Sequence, residues 1–135
     1  MTNNFSRRRV LIIEDEPSIR NVLYALLAGL DCDSSVATND RQALAMISRE
    51  NYDAVLLDMR CSKAPADQVV SQIKEIRPSL LGRVLVITSE VSDSQAMEMI
   101  ERQCVPYVPR NRMLKDLWAF LRPILGGSKA PETVR

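Results

Sequence analysis

Acidic side chains follow two aliphatic runs of this sequence, at the point where each run ends. Glu14 and Asp15 come directly after residues 10–13, and Asp58 comes directly after residues 54–57. Carboxylates held close together repel each other, and a hard divalent cation relieves that repulsion. If the two runs are neighbouring strands, Asp15 and Asp58 together predict a Mg²⁺ site.

Glu16 is the third acid of the first group and stands directly before Pro17. Proline suits the first turn of a helix, and an acid beside it is typical of a helix start. We therefore expect Glu16 to cap the following helix and to have no part in the metal site.

Groups that can bind phosphoryl oxygens follow two further runs. Thr88 and Ser89 come after a third aliphatic run, and Arg110 comes after a weaker run at residues 105–108. A carboxylate nucleophile, a bound cation, a hydroxyl donor and a guanidinium are the groups that move a phosphoryl group and hold it. Each residue alone is a weak signal, but their joint position at strand ends favours phosphoryl transfer onto Asp58.

The composition excludes other kinds of chemistry. The chain has no histidine, so a His base, a His metal ligand and a Ser-His-Asp triad are impossible. It has 18 Lys and Arg against 17 Asp and Glu, and the formal charge of +1 argues against direct nucleic-acid binding.

The cysteines and the N-terminal residues indicate the compartment. Cys32, Cys61 and Cys104 form no CxxC pair, which predicts neither a zinc site nor a disulfide framework. The apolar run after residue 9 is too short for a signal peptide or a membrane span. We therefore expect a cytoplasmic protein that does not contact membranes.

Five runs of residues are candidates for strands. Those at residues 10–13, 54–57 and 84–87 are continuously apolar, which is typical of strands covered on both faces of a parallel sheet. The runs at residues 33–36 and 105–108 contain polar residues or proline, which belong at sheet edges. Together they predict an α/β fold, a doubly wound five-stranded parallel sheet of order 2-1-3-4-5 with helices on both faces, as in flavodoxin-like proteins.

Helical patterns alternate with these strands. The first helix is expected to begin at Pro17 and to end at Gly29. Asp40 and Asp67 are expected to cap the second and third helices, and Ser92 or Asp93 to open the fourth. The apolar stripe of the last helix is expected to consist of Leu114, Leu117, Trp118 and Leu121. We expect a polar extension over residues 1–8, one domain over residues 9–125 and a flexible tail over residues 126–135.

At these motifs the chain resembles the receiver domain of two-component response regulators. The matching segments are VLIIEDEPSIR, YDAVLLDMR, VLVITSE and YVPR, and the likeness covers residues 8–125. The resemblance implies the phosphoacceptor Asp58, the Mg²⁺ ligands Glu14, Asp15, Asp58 and the Arg60 backbone carbonyl, and the phosphoryl-stabilising or switch residues Thr88, Tyr107 and Arg110. Within this set, Asp15 matches the direct metal ligand and Glu14 the ligand that acts through water.

The resemblance also implies partners. The phosphoryl group would come from the phosphohistidine of a histidine kinase or of a phosphotransfer protein, so the chain needs no histidine of its own. Phosphorylation would remodel the face made by the fourth helix, the fifth strand and the fifth helix, which would bind an output protein or a second copy. Such a chain is not an enzyme beyond its own phosphorylation and dephosphorylation.

Two departures from the family pattern leave alternatives open. Arg110 replaces a near-invariant Lys, and Asn111 replaces the Pro that follows it. These changes are compatible with a pseudo-receiver, a binding module that has lost its switch. An Arg110 directed into the acidic pocket would favour the working switch, and one directed to solvent would favour the pseudo-receiver. Cys61, three residues after Asp58, is either a redox-active thiol or a packed one, and packing is favoured.

A flavodoxin-like cofactor binder or a small hydrolase is a third hypothesis. Flavin phosphate would need a loop rich in Gly, Ser or Thr after the first strand, and here that loop is acidic. An aspartyl-phosphate phosphatase would need a second acid two residues after Asp58, where Arg60 stands. Both are disfavoured.

Overall fold

A computed structural model describes residues 7–61, 64–88 and 94–124 of the chain. The strands in these ranges are β1 (Arg8–Ile13), β2 (Cys32–Ala37), β3 (Ala54–Asp58), β4 (Val84–Thr88) and β5 (Tyr107–Pro109). They form one parallel sheet in the order β2-β1-β3-β4-β5. The predicted strand order is confirmed, with β2 and β5 at the two edges. β5 covers Tyr107–Pro109 and not the predicted residues 105–108, so the proline within it is Pro109.

Five helices alternate with the strands in the described part of the chain. They are α1 (Pro17–Gly29), α2 (Asp40–Arg49), α3 (Ala66–Ile76), α4 (Ser94–Gln103) and α5 (Met113–Ile124). Short 3-10 helices cover Met59–Cys61, Pro78–Leu80 and Arg110–Arg112. The first and last of these follow β3 and β5 directly, so each begins at the edge of the sheet where the strands end.

The sheet is covered on both faces, as predicted. Leu11 and Ile13 of β1 pack with buried residues of α2, α3 and α4, whereas Val10 and Ile12 pack with buried residues of α1 and α5. Successive side chains of a strand point to opposite faces, so an unbroken apolar run is needed to fill two cores. Burial of each such side chain contributes about 1.5–3 kcal/mol.

The end of α1 agrees with the prediction. Gly29 is the last helical residue, as expected, and Leu30 packs against the core. The left-handed conformation that commonly follows a helix is adopted by Asp31, whose φ is 62°, and not by a glycine. Asp tolerates this region better than most residues because its short polar side chain bonds locally.

The starts of α2 and α3 were predicted one or two residues too late. Asn39, not Asp40, caps α2, because its side chain accepts a hydrogen bond of 2.8 Å from the backbone N–H of Gln42. Pro65 precedes α3, and Asp67 lies inside the first turn. Asp40 and Asp67 are therefore first-turn acids, which favour the positive end of the helix dipole.

The predicted stripe of α5 is wrong at one position. Met113, Leu117 and Leu121 are buried and recur every four residues, whereas Leu114 is exposed. Because the buried stripe begins at Met113, Leu114 is rotated onto the solvent side of the helix.

Some predictions fall outside the described residues. These include the start of the fourth helix at Ser92 or Asp93, most of the N-terminal extension and the whole C-terminal tail. The division into extension, domain and tail therefore stays a prediction. None of the described helices is long and apolar enough to cross a membrane.

Candidate functional site

The predicted site residues lie at the carboxyl edge of the sheet. β1 and β3 run in parallel register with Ile13 opposite Leu57, so Glu14 and Asp58 follow at the same level. Thr88 ends β4 opposite Pro109 of β5. The ends of four strands thus bring an acid pair, a hydroxyl and the segment carrying Arg110 to one edge.

Glu14 and Asp58 form a buried acid pair. Each is 1% exposed, and the two carboxyl groups lie within hydrogen-bond reach of each other. The Glu14 backbone N–H donates a 2.9 Å bond to the carbonyl of Ala37, which anchors the loop to β2. Burial, followed by the hydrogen bond and the charge of Asp58, raises the pKa of Glu14 to about 8.

Asp58 is held at both oxygens. The backbone N–H of Arg60 donates a 2.9 Å bond to Oδ1, which follows from the 3-10 turn after β3. Nη2 of Arg110 lies 2.5 Å from Oδ2. The Arg110 side chain is 20% exposed, so this guanidinium points into the acidic pocket and not to solvent.

Glu16 has a role at this edge that its position before Pro17 did not predict. It precedes α1 as expected, but its side chain makes no capping hydrogen bond. Its Oε1 instead lies 3.3 Å from Nη1 of Arg110 and 3.3 Å from Nη2 of Arg60. The prediction that Glu16 serves only as a helix cap is wrong, because two arginines from later loops reach it. Sequence spacing carried no signal of this contact.

Three buried polar atoms at this edge have no hydrogen-bond partner among the described residues. They are Oε1 of Glu14, Oγ1 of Thr88 and Nε of Arg110. Buried polar groups are ordinarily satisfied, so a set of unsatisfied ones marks a place where a ligand can bond. One carboxylate acceptor suits a cation, and one O–H and one N–H donor suit phosphoryl oxygens.

The donor set fits Mg²⁺ better than a metal that needs a complete protein cage. Within the described ranges, no three acidic or cysteine side chains are grouped as a ready metal site. Mg²⁺ keeps several waters and needs only one or two carboxylates, which Glu14 and Asp58 would supply. Asp15 is exposed, and it is Glu14 that contacts Asp58. The assignment of Asp15 as the direct ligand therefore stays a prediction.

Of the remaining predicted residues, Tyr107 and Cys61 lie within the described ranges and Ser89 does not. Tyr107 is 38% exposed on β5. Cys61 is buried, its thiol lies 3.4 Å from the Thr38 carbonyl, and burial raises its pKa to about 12, which fits a packed thiol. Ser89 falls outside the described residues.

This arrangement of strands and side chains has known counterparts. A model of the response regulator receiver domain matches residues 10–122. The chain therefore belongs to the response regulator receiver domain family, as its motifs suggested.

Two curated relatives illustrate the kind of protein in which such a domain occurs. The transcriptional regulatory protein ZraR of Escherichia coli strain K12 is 28% identical over 116 residues, which are 86% of this chain and 26% of that protein. The response regulator protein PilR of Pseudomonas aeruginosa is 31% identical over 96 residues, which are 71% of this chain and 21% of that protein. The chain thus spans about a quarter of the length of ZraR and less of PilR.

Two solved structures share the fold. The receiver domain of the sensor histidine kinase PA1611 from Pseudomonas aeruginosa, with a magnesium ion in its active site cleft, has a TM-score of 0.77 at 20% identity, over 90% of this chain and 99% of that chain. A receiver domain protein from Methanospirillum hungatei also has a TM-score of 0.77, at 18% identity, over 89% of this chain and 94% of that chain. At these identities the likeness shows the fold alone.

Proposed function

We propose that this chain is a phosphorylation-switched receiver in which Asp58 takes a phosphoryl group from the phosphohistidine of a histidine kinase or a phosphotransfer protein. The observation that carries the proposal is the inward Arg110, whose Nη2 lies 2.5 Å from Asp58. A pseudo-receiver predicts this side chain in solvent. An inward guanidinium keeps the positive charge that a phosphoryl oxygen on Asp58 would need.

Each residue of the site has a place in the transfer. An oxygen of Asp58 attacks phosphorus, and the phosphorus–nitrogen bond to the donor imidazole breaks as the new phosphorus–oxygen bond forms. Nη2 of Arg110 and Oγ1 of Thr88 donate hydrogen bonds to the transferred oxygens. Thr88 supports this role because its buried hydroxyl has no partner in the described part of the chain.

Mg²⁺ is the cofactor that this set of oxygens suits. Glu14, Asp15, Asp58 and the backbone carbonyl of Arg60 would hold it, and the bound ion would neutralise charge on the transferred oxygens. The raised pKa of Glu14, about 8, expresses the charge repulsion and burial that such a cation would offset.

The output would pass through the face formed by α4, β5 and α5. Tyr107 and Leu114 are exposed large hydrophobic residues of β5 and α5 and would suit a protein partner, either an output protein or a second copy. The near-zero formal charge gives no support to direct DNA contact. We propose that the chain works in the cytoplasm, where histidine kinases present their phosphohistidine.

The acceptor can be tested with a small-molecule phosphodonor and Mg²⁺, followed by mass spectrometry of the intact protein. We expect the wild type to gain one phosphoryl group and Asp58→Asn to gain none. Asp33→Asn, an exposed change on the edge strand β2, is the matched control and should gain the group as the wild type does. A gain that persists in Asp58→Asn, or no gain in the folded wild type, would contradict the proposal.

A further inference from the structure

The carboxylate of Glu16 joins two arginines that come from different loops. Its Oε1 accepts from Nη1 of Arg110, after β5, and from Nη2 of Arg60, after β3, both at 3.3 Å. Its other oxygen accepts a 3.1 Å bond from the hydroxyl of Ser18 in α1. Glu16 thus ties the loop after β1 to the loops after β3 and β5.

The contacts form a closed ring of four residues that includes Asp58. Arg110 bonds Glu16 through Nη1 and Asp58 through Nη2, while Arg60 bonds Glu16 through its side chain and Asp58 through its backbone N–H. Among the described residues, the Glu16 side chain reaches Asp58 through these two arginines, while the Glu16 backbone N–H donates a 3.2 Å bond to Oε2 of Glu14.

The two arginines differ in how firmly they are held. The Arg60 side chain is 53% exposed and that of Glu16 40%, and ion pairs this open to water contribute little because water screens them. Arg110 is 20% exposed and pairs with a carboxylate that is 1% exposed, so its placement matters more to the pocket. Its Nε is buried without a partner among the described residues, so only its two Nη groups fix the guanidinium.

The planar fork of arginine is what makes this geometry possible. A guanidinium presents donors in fixed directions and can bond two carboxylates at once, whereas a lysine ammonium is a compact point charge. Lys at position 110 could pair with Asp58, but it could not hold Glu16 and Asp58 through two separate nitrogens of a rigid plane. The simultaneous contacts of position 110 with Glu16 and Asp58 therefore depend on its guanidinium.

We propose that Glu16 is a positioning residue that holds the Arg110 guanidinium over Asp58 and so sets how tightly the pocket binds a phosphoryl group. This inference rests on the proposed function, because it concerns the same acceptor. Glu16 acts through Arg110 and does not touch the transferred group.

The first test measures Arg110 directly and needs no phosphoryl chemistry. The Nε–H of Arg110 gives a signal in a proton–nitrogen correlation spectrum, assigned by its loss in Arg110→Lys. We expect its exchange with water to rise by about two- to fivefold in Glu16→Ala, the range that a partly exposed ion pair allows. The exchange rate in Glu16→Gln should lie between those of the wild type and Glu16→Ala, because the amide oxygen of Gln still accepts a hydrogen bond from Nη1.

Glu50→Gln is the matched control for this measurement. Glu50 follows α2, is 47% exposed and pairs with Arg9 at 2.6 Å, whereas Glu16 precedes α1 and is 40% exposed, so the two acids are similarly exposed and each pairs with an arginine. The control should leave the Arg110 signal unchanged. Equal exchange in the wild type and in Glu16→Ala would overturn the proposal.

The second test measures affinity for the phosphoryl analogue beryllofluoride with Mg²⁺. We expect Glu16→Ala to weaken binding by about two- to fivefold in the wild-type background. In the Arg110→Lys background the same change should have no further effect, since the link through the fork is already lost. Equal losses in the two backgrounds would show that Glu16 acts independently of Arg110 and would overturn the proposal.

The two tests separate this proposal from the proposed function. If the folded wild type binds no beryllofluoride, the phosphoacceptor assignment fails, but the Arg110 exchange measurement still decides whether Glu16 positions the guanidinium. If beryllofluoride binds but the exchange of the Arg110 Nε–H is the same in the wild type and in Glu16→Ala, the positioning role of Glu16 is wrong and the phosphoacceptor assignment stands.

Discussion

The pKa of Glu14 depends on how deeply the acid pair is buried and on the charge of Asp58. Its usual pKa of 4.5 is raised to about 8, first by burial and then by its hydrogen bond to Asp58 and by the charge of that residue. The folded protein therefore holds a proton on Glu14 more tightly than the unfolded chain does. Between these two pH values, folding and proton binding are linked.

The linkage predicts how stability changes with pH in the presence of a chelator. The protonated Glu14 carboxyl adds to the free energy of unfolding, and this stabilisation is fully present below about pH 4.5. It is lost as the pH rises towards about 8, because between these pH values the folded state binds more protons than the unfolded chain. Glu14→Gln cannot lose this proton, so its free energy of unfolding should fall less over the same range. Urea unfolding at a series of pH values measures both. Parallel curves would show that Glu14 is not a buried titrating acid.

The three cysteines differ in burial. Cys32 and Cys61 are buried, and burial raises their pKa values to about 11 and about 12, whereas Cys104 is exposed. Thiolates, not thiols, react with alkylating agents. The redox hypothesis for Cys61 therefore loses its support.

Alkylation of the native protein should follow these differences. We expect iodoacetamide at neutral pH to modify Cys104 and to leave Cys32 and Cys61 unmodified until urea unfolds the chain. Peptide mass spectrometry of native and unfolded samples identifies the sites. Rapid modification of Cys61 in the native state would restore the redox hypothesis.

At the scale of elements, the sequence predicted the kind and order of each helix and strand better than their ends. The apolar residues of α2 recur at helical spacing, and because this pattern involves several residues it identifies the helix reliably. Its start depends on one hydrogen bond, from the Gln42 N–H to Asn39, and both Asn39 and Asp40 are good capping residues. Backbone geometry chose between them, since Asn39 has the extended conformation with φ of −157°.

The contribution of the Asn39 cap to the free energy of unfolding can be measured by substitution. Asn39→Ala should lower the free energy of unfolding by about 1 kcal/mol, because one first-turn N–H loses its acceptor. Ser48→Ala, an exposed change in the same helix, should alter it by less than about 0.5 kcal/mol. Urea unfolding measures both. Equal effects at the two positions would mean that the Asn39 side chain does not stabilise the helix start.

At the scale of the whole molecule, the paired strands β4 and β5 connect the proposed phosphoryl site with the proposed switch face. Thr88 ends β4 opposite Pro109, and Val86 of β4 lies opposite Tyr107 of β5. A movement of Thr88 towards a phosphoryl group would therefore pass along two paired strands to an exposed aromatic ring. This arrangement gives the proposed switch a short physical route between site and surface.

Removal of the Tyr107 ring should leave ligand binding at the site unchanged and weaken the response of α4 and α5. We expect Tyr107→Ala to bind beryllofluoride and Mg²⁺ as the wild type does, because the ring is 38% exposed and the proposed ligands are other residues. The amide chemical-shift changes in α4 and α5 that accompany binding should become smaller. Leu81→Ala, another exposed apolar change, is the control and should keep wild-type shifts. Unchanged shifts in Tyr107→Ala would exclude the ring from the switch.

The sequence by itself determined the α/β class, the strand order, the two edge strands and the acids at the ends of β1 and β3. These follow from repeated local patterns, since unbroken apolar runs require two covered faces and parallel strands end at the same edge. Only the tertiary structure decided that Glu14 contacts Asp58, that Arg110 turns inward and that Glu16 joins the two arginines. These contacts link residues as many as 94 positions apart, and side chains at such separations meet only after the sheet has formed.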